Sequence, residues 1–215
     1  FYISLQPPVS SIDDFRNNHK RLDWGGVTRT EIFFSFQLGN TMLQKVMVYI
    51  AMLFFAALIA GLYGMIHDQI SYTVSPEYFT RFKFQQFGLP WGEQSQRLGA
   101  AVVGFMATWW MGVLVSLPLG LFSFRFPTPD MMARKLAIAF LIVILVALLT
   151  GLLGLGIAMI VINAETIDGS LCLVRPNVQD PIQFVRVGFM HNASYLGGLL
   201  GLIAGIIYLR RTSTQ

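Results

Sequence analysis

This sequence predicts an all-α integral membrane protein, a bundle of four transmembrane helices with a short N-terminal cytoplasmic arm, and three observations carry that reading. Of the 215 residues, 54% are hydrophobic and only 12% charged, against about a quarter charged in an ordinary soluble domain. The apolar residues form continuous runs, which excludes the alternating strands of about ten residues that build a transmembrane barrel. Four runs, 46–66, 98–122, 136–162 and 187–209, reach the roughly 20 helical residues that cross a hydrocarbon core about 30 Å thick.

Residues 1–45 form the arm. They lack the apolar stretch of a secretory signal and contain Pro7, Pro8 and several charges. Within them "TRTEIFFSFQLGN" predicts a short helix capped by Thr30, with Phe33, Phe34 and Phe36 against the membrane interface or against a neighbouring subunit. Residues 46–215 form the four-helix domain. The first span runs to Ile66 and meets His67 and Asp68; the second carries Trp109 and Trp110 and is terminated near Pro118, with Pro127 and Pro129 shaping the turn beyond it. The third continues toward Asn163, and the fourth contains "HNASYLGGLLGLIAGIIYL". "NAS" matches a glycosylation acceptor, but at the mouth of a span Asn192 is better placed as a cap or a hydrogen-bond partner. The single cysteine, Cys172, has no partner in the chain and forms no internal disulfide.

Basic residues orient the spans. Arg16, Lys20, Arg21, Arg29, Lys45, Arg125, Arg134, Lys135, Arg210 and Arg211 fall on one side, and Arg81, Lys83, Arg97, Arg175 and Arg186 on the other. The richer side is cytoplasmic by the positive-inside rule, so both termini are expected there. Because the basic residues are dispersed, the net charge of +4 reads as topology and attraction to anionic lipid, not as a nucleic-acid surface.

Small residues decide what the polar ones face. Gly197, Gly201 and Gly205 are four apart in the fourth helix, and at 100° per residue Gly198, Gly201 and Gly205 share a narrow face with Ser194 and His191 close by. Ala147, Gly151, Gly154 and Ala158 make a stripe on the third helix that reaches Glu165 if the helix runs one turn further. Ala56, Ala60 and Gly64 make one on the first that ends at His67. Connectivity alone brings His67, Glu165 and His191 to one membrane face. With Asp68 adjacent and Glu77 and Glu93 nearby in sequence, they form a candidate divalent-metal set whose imidazole and carboxylate donors suit zinc, iron, manganese or copper. The expected ligands are His67 and His191 with Glu165 or Asp68 as third, and Glu77 as a catalytic base or as a group that supports a ligand. The alternative reading of the same residues is a polar rim where lipid ends, or a metal-free His-carboxylate proton relay.

The loop "SPEYFTRFKFQQFGLPW" holds too many aromatics to stay in water, so it must cover the helix ends, enter the interface or meet a membrane-protein partner. The segments "HDQISYTVSPEYFT" and "HNASYLGG" resemble a group of small multi-pass bacterial membrane proteins with a recurring HDxI/V and EYFT pattern, generally labelled uncharacterised. The resemblance covers His67, Asp68, residues 77–80 and residues 191–198, and implies a bacterial inner-membrane location without implying a substrate. Two functions follow as expectations: a membrane metalloprotein, enzymatic at its outer face, or a non-catalytic accessory subunit that binds a larger assembly through loop 76–91 and the arm. Transport is a weaker third, since no charged residue lies deep within any predicted span.

Overall fold

A computed structural model describes residues 29–168 and 174–212, with side chains from residue 37 onward. The chain divides into two units, Phe1–Met42 and Leu43–Gln215. The described part of the first, residues 29–42, is helical and forms the start of the first helix; the packing and the site described below belong to the second. Cys172 lies outside the described residues.

Four long helices form the fold: α1 (Arg29–Val74), α2 (Gln96–Ser123), α3 (Pro129–Val161) and α4 (Pro181–Thr212), with no strand among the described residues. Each contains a segment long and apolar enough to cross a membrane, so the all-α four-helix class holds and the chain fits a multi-pass membrane protein.

The helices outrun the apolar runs that announce them. Thr30 stands inside α1 and not before it as a cap. At the other end α1 passes His67 and Asp68 by almost two turns, and within that stretch the Ser71 and Thr73 hydroxyls donate back to the carbonyls of His67 and Gln69 at 3.2 and 2.8 Å. It stops where Ser75 turns extended (φ −141°, ψ 95°) ahead of Pro76, since the residue before a proline is held out of the helical region. Pro118 lies within α2, which continues to Ser123. The Thr128 hydroxyl accepts the Met131 N–H at 3.3 Å, and Pro129 opens α3 in the first turn, where its missing N–H costs nothing. Asn192 is an interior residue of α4, exposed and not a cap. Trp109 and Trp110 are about half exposed on the outer face of α2.

Close backbone approach organises the helices into two pairs. Where α1 meets α2, a Cβ on Gly64 would collide with the Gly104 carbonyl, and one on Gly112 with the Ala56 carbonyl. Where α3 meets α4, a Cβ on Gly201 would lie 2.8 Å from the Val143 Cα, and one on Gly197 2.8 Å from the Ala147 Cα. Without a hydrophobic drive between helices in lipid, such contact is what holds them together. The fourth helix buries His191, Ser194, Gly201 and Gly205 on its packed face as expected, with Gly197 buried there and Gly198 half buried.

The pairs join at both ends. Leu119, Met132, Leu136, Ala139, Phe140 and Leu209 pack together near the α2–α3 turn. At the opposite end residues 76–86 fold over the helix termini, with Tyr78, Phe79 and Phe84 buried against Val103, Phe184 and Val187. The aromatic loop therefore covers the helix ends, one of the three placements open to it.

Candidate metal centre

Three elements bring the site together beneath that aromatic cap. α1 contributes His67 and Asp68, α4 contributes His191 and Ser194, and the cap contributes Tyr78 and Lys83. His67, Asp68 and His191 are 4%, 3% and 8% exposed, which matters because ionisable groups buried inside a membrane bundle are costly unless they are paired or coordinated.

The donor atoms converge. One ligand atom from each of His67, Asp68 and His191 lies within 4.8 Å of the others, so the three could hold a metal ion. His67 Nδ1 is 3.1 Å and His191 Nε2 3.8 Å from Asp68 Oδ1. Around a tetrahedral zinc with bonds of about 2.0–2.1 Å, neighbouring donors stand about 3.3 Å apart; the two distances to Asp68 bracket that value, and the widest separation in the set, up to 4.8 Å, would have to close for all three to bind one ion. The rings of His67 and His191 meet edge to face with centroids 4.8 Å apart.

The remaining polar atoms define how each ligand is held. His67 Nε2 is 2.9 Å from Ser194 Oγ; with Nδ1 on a metal, Nε2–H donates to that hydroxyl, which fixes both tautomer and ring plane. Ser194 reaches this position because a Cβ on Gly151 of α3 would occupy it. Tyr78 stacks on His191 with centroids 5.0 Å apart and an interplanar angle of 22°. His191 Nε2 is buried and has no hydrogen-bond partner among the described residues. A buried imidazole nitrogen without a partner is rare and calls for an explanation, and here it points at the other two donors.

No family model, curated protein or solved structure matches this chain. The site is therefore read from its own chemistry.

Three acidic residues of the expected set stand elsewhere. Glu165 is exposed: α3 ends at Val161, Ile162 turns extended (φ −91°, ψ 106°), and the Asn163 carboxamide accepts the N–H groups of Glu165 and Thr166 at 2.9 and 3.1 Å. Asparagine thus gives the backbone a turn in place of another helical one. The Glu77 carboxylate accepts the Gln179 N–H at 3.0 Å and the Asp180 N–H at 2.8 Å, just ahead of α4, and so serves the entry to that helix. Glu93, exposed, closes a short 3-10 turn, Pro90–Glu93.

Two contributors were not singled out as site residues in the sequence. Lys83, a loop charge by sequence, is 8% exposed and lines the same cavity as His67, Asp68 and His191. The turn Phe79–Lys83 is π-wound, and its wider spacing lets Phe79, Lys83 and Phe84 all face inward. The Lys83 ammonium donates to Gln86 Oε1 at 3.0 Å and lies 4.8 Å from the Phe82 ring centroid. Burial lowers its pKa, and the negative charge of Asp68 acts the other way. Tyr78, by sequence one of several loop aromatics, is held by burial with its pKa raised, so it stays a neutral phenol.

Proposed function

We propose that this is an integral membrane metalloprotein, with a divalent first-row metal held by His67 Nδ1, Asp68 Oδ1 and His191 Nε2 and a fourth position open to the cavity. The unpartnered His191 Nε2, aimed at two other donors, is the observation that carries this reading. Two imidazoles and one carboxylate match the donor set of hydrolytic zinc and of open iron sites. A bound metal would supply an activated water or hydroxide near neutral pH. In this reading the chain's own groups hold the donors in place: Ser194 sets the His67 tautomer, Tyr78 fixes the His191 ring, and Lys83 supplies a positive charge for an oxyanion. The function is metal-assisted hydrolysis at one membrane face.

A second reading has an observation of its own. Ser194 Oγ, His67 Nε2, His67 Nδ1 and Asp68 Oδ1 form a chain with contacts of 2.9 and 3.1 Å, the order of nucleophile, base and orienting acid in a hydrolytic triad. It leaves His191 without a role, and for that reason ranks second.

Elemental analysis of protein purified in mild detergent without chelators separates the two. The first reading expects near-stoichiometric metal in the wild type, its loss in His67→Ala and His191→Ala, and a roughly 10- to 100-fold weaker affinity in Ser194→Ala. Metal-free protein of normal fold would overturn it. Labelling of Ser194 by a fluorophosphonate in such protein would establish the triad.

A further inference from the structure

The cavity that begins at the metal centre does not end there. It continues between the helix pairs past Tyr63, Ile59 and Ala60 on α1, Thr108 and Met111 on α2 and Ile144 on α3, to Ala56, Val115 and Phe140. Apart from Tyr63 and Thr108 this lower stretch is apolar, and Thr108 already donates to the Ala60 and Gly104 carbonyls at 2.7 Å. From His67 to Ala56 is eleven residues of helix, about 16 Å at 1.5 Å per residue, roughly half of a hydrocarbon core about 30 Å thick. The cavity has the depth of one leaflet.

At one end Tyr78 of the aromatic cap stacks on His191, and at the other Phe140 of the Leu119–Leu136 cluster lines the wall. Tyr195, which lines the cavity, is 52% exposed on the outer surface, while Ile59, Tyr63 and Ile144 are half buried. The open side thus faces lipid, between α1 and the α3–α4 pair. Gly198 lines the same cavity, and a Cβ there would meet nothing within 4 Å.

We propose that this cavity takes one hydrocarbon chain of a membrane amphiphile whose carbonyl-bearing head, a fatty carboxylate or a fatty ester, lies between Lys83 and the His67–Asp68–His191 cluster. The chain enters sideways from the bilayer and runs down to Ala56 and Val115. The head meets the one buried ammonium described in the cavity wall, which complements a carboxylate or the polarised carbonyl of an ester. This inference rests on the metal-centre reading for what happens at the head, and on the cavity alone for the chain.

The test uses full-length protein in vesicles with two photoreactive probes, palmitic acid carrying a diazirine near its chain end and a phosphatidylcholine bearing the same acyl chain. Crosslinks mapped by mass spectrometry are expected at cavity residues such as Ala56, Met111 and Val115, and whichever probe labels there identifies free acid or lipid ester as the source. In Gly198→Leu, which fills the cavity, most of that labelling is expected to disappear. In Gly156→Leu, which also adds a side chain into open space but on the exposed outer face of α3, it is expected to persist. Labelling confined to lipid-facing residues such as Phe54, Leu114 and Leu149, or unchanged in a folded Gly198→Leu, would overturn the inference. Should Gly198→Leu not fold, the wild-type crosslink map decides by itself. Metal content of the same samples keeps the two readings apart: cavity labelling in metal-free protein upholds chain binding and ends the metal centre, and metal without cavity labelling does the opposite.

Discussion

His191 and Glu77 show how differently two ionisable residues can be used within one site region. His191 has a buried ring nitrogen and no hydrogen bond to satisfy it among the described residues; Glu77 has both carboxylate oxygens engaged by backbone N–H groups. The first is available to a ligand and the second is occupied. Glu77→Ala is therefore expected to lower thermal stability in detergent, by about 1–2 kcal/mol as for loss of a helix cap, while metal content stays at the wild-type level. Loss of metal or of catalysis with an unchanged melting temperature would instead return Glu77 to the base role that its sequence position first indicated. Ser194 marks the border of what a helical wheel can reveal. The wheel places it beside His191, but its contact with His67 across the bundle depends on Gly151 leaving room for it.

Among the elements, the long helices were legible and their ends were not. Run length alone locates a span, because lipid accepts only continuous apolar helix with its backbone bonds satisfied internally. Ends depend on local signals: α1 runs on until Ser75 is held extended ahead of Pro76, whereas Asn163 stops α3 by offering its carboxamide to the next turn. Both outcomes change the site, since the first carries His67 and Asp68 inside the bundle and the second removes Glu165. The glycine contacts give a prediction at this scale. Gly104→Leu, which would drive a side chain into the Gly64 carbonyl, is expected to separate α1 from α2 and to cost about 1–3 kcal/mol or more, as overpacking of a tight contact does. Gly156→Leu, exposed and facing open space, is expected to fall within about 0.5 kcal/mol of wild type. Equal thermal shifts in the two variants would show that the close approach does not hold the pair together.

For the molecule as a whole, orientation in the membrane is the remaining expectation, and it rests on the distribution of Lys and Arg. In a Cys172→Ser background, Gln94→Cys, on the exposed turn at the His67 end, is expected to react with a membrane-impermeant maleimide on intact cells. Pro127→Cys, exposed between α2 and α3, is expected to react only after permeabilisation. The reverse pattern would place the candidate centre on the cytoplasmic side and overturn the positive-inside assignment, without touching the geometry of the site. Four apolar runs, their helical nature and the arrival of His67 and His191 at one face were determined by the sequence by itself, because they follow from run length and from the alternating direction of successive spans. Tertiary structure alone decided that Asp68 and not Glu165 stands with His67 and His191 in the candidate donor set, that a π-wound turn carries Lys83 inward, and that a cavity lies below. Those outcomes depend on helix rotation and on where each helix stops, which are set to within an ångström by glycine contacts and capping side chains, and a pattern of hydrophobicity does not encode distances of that size.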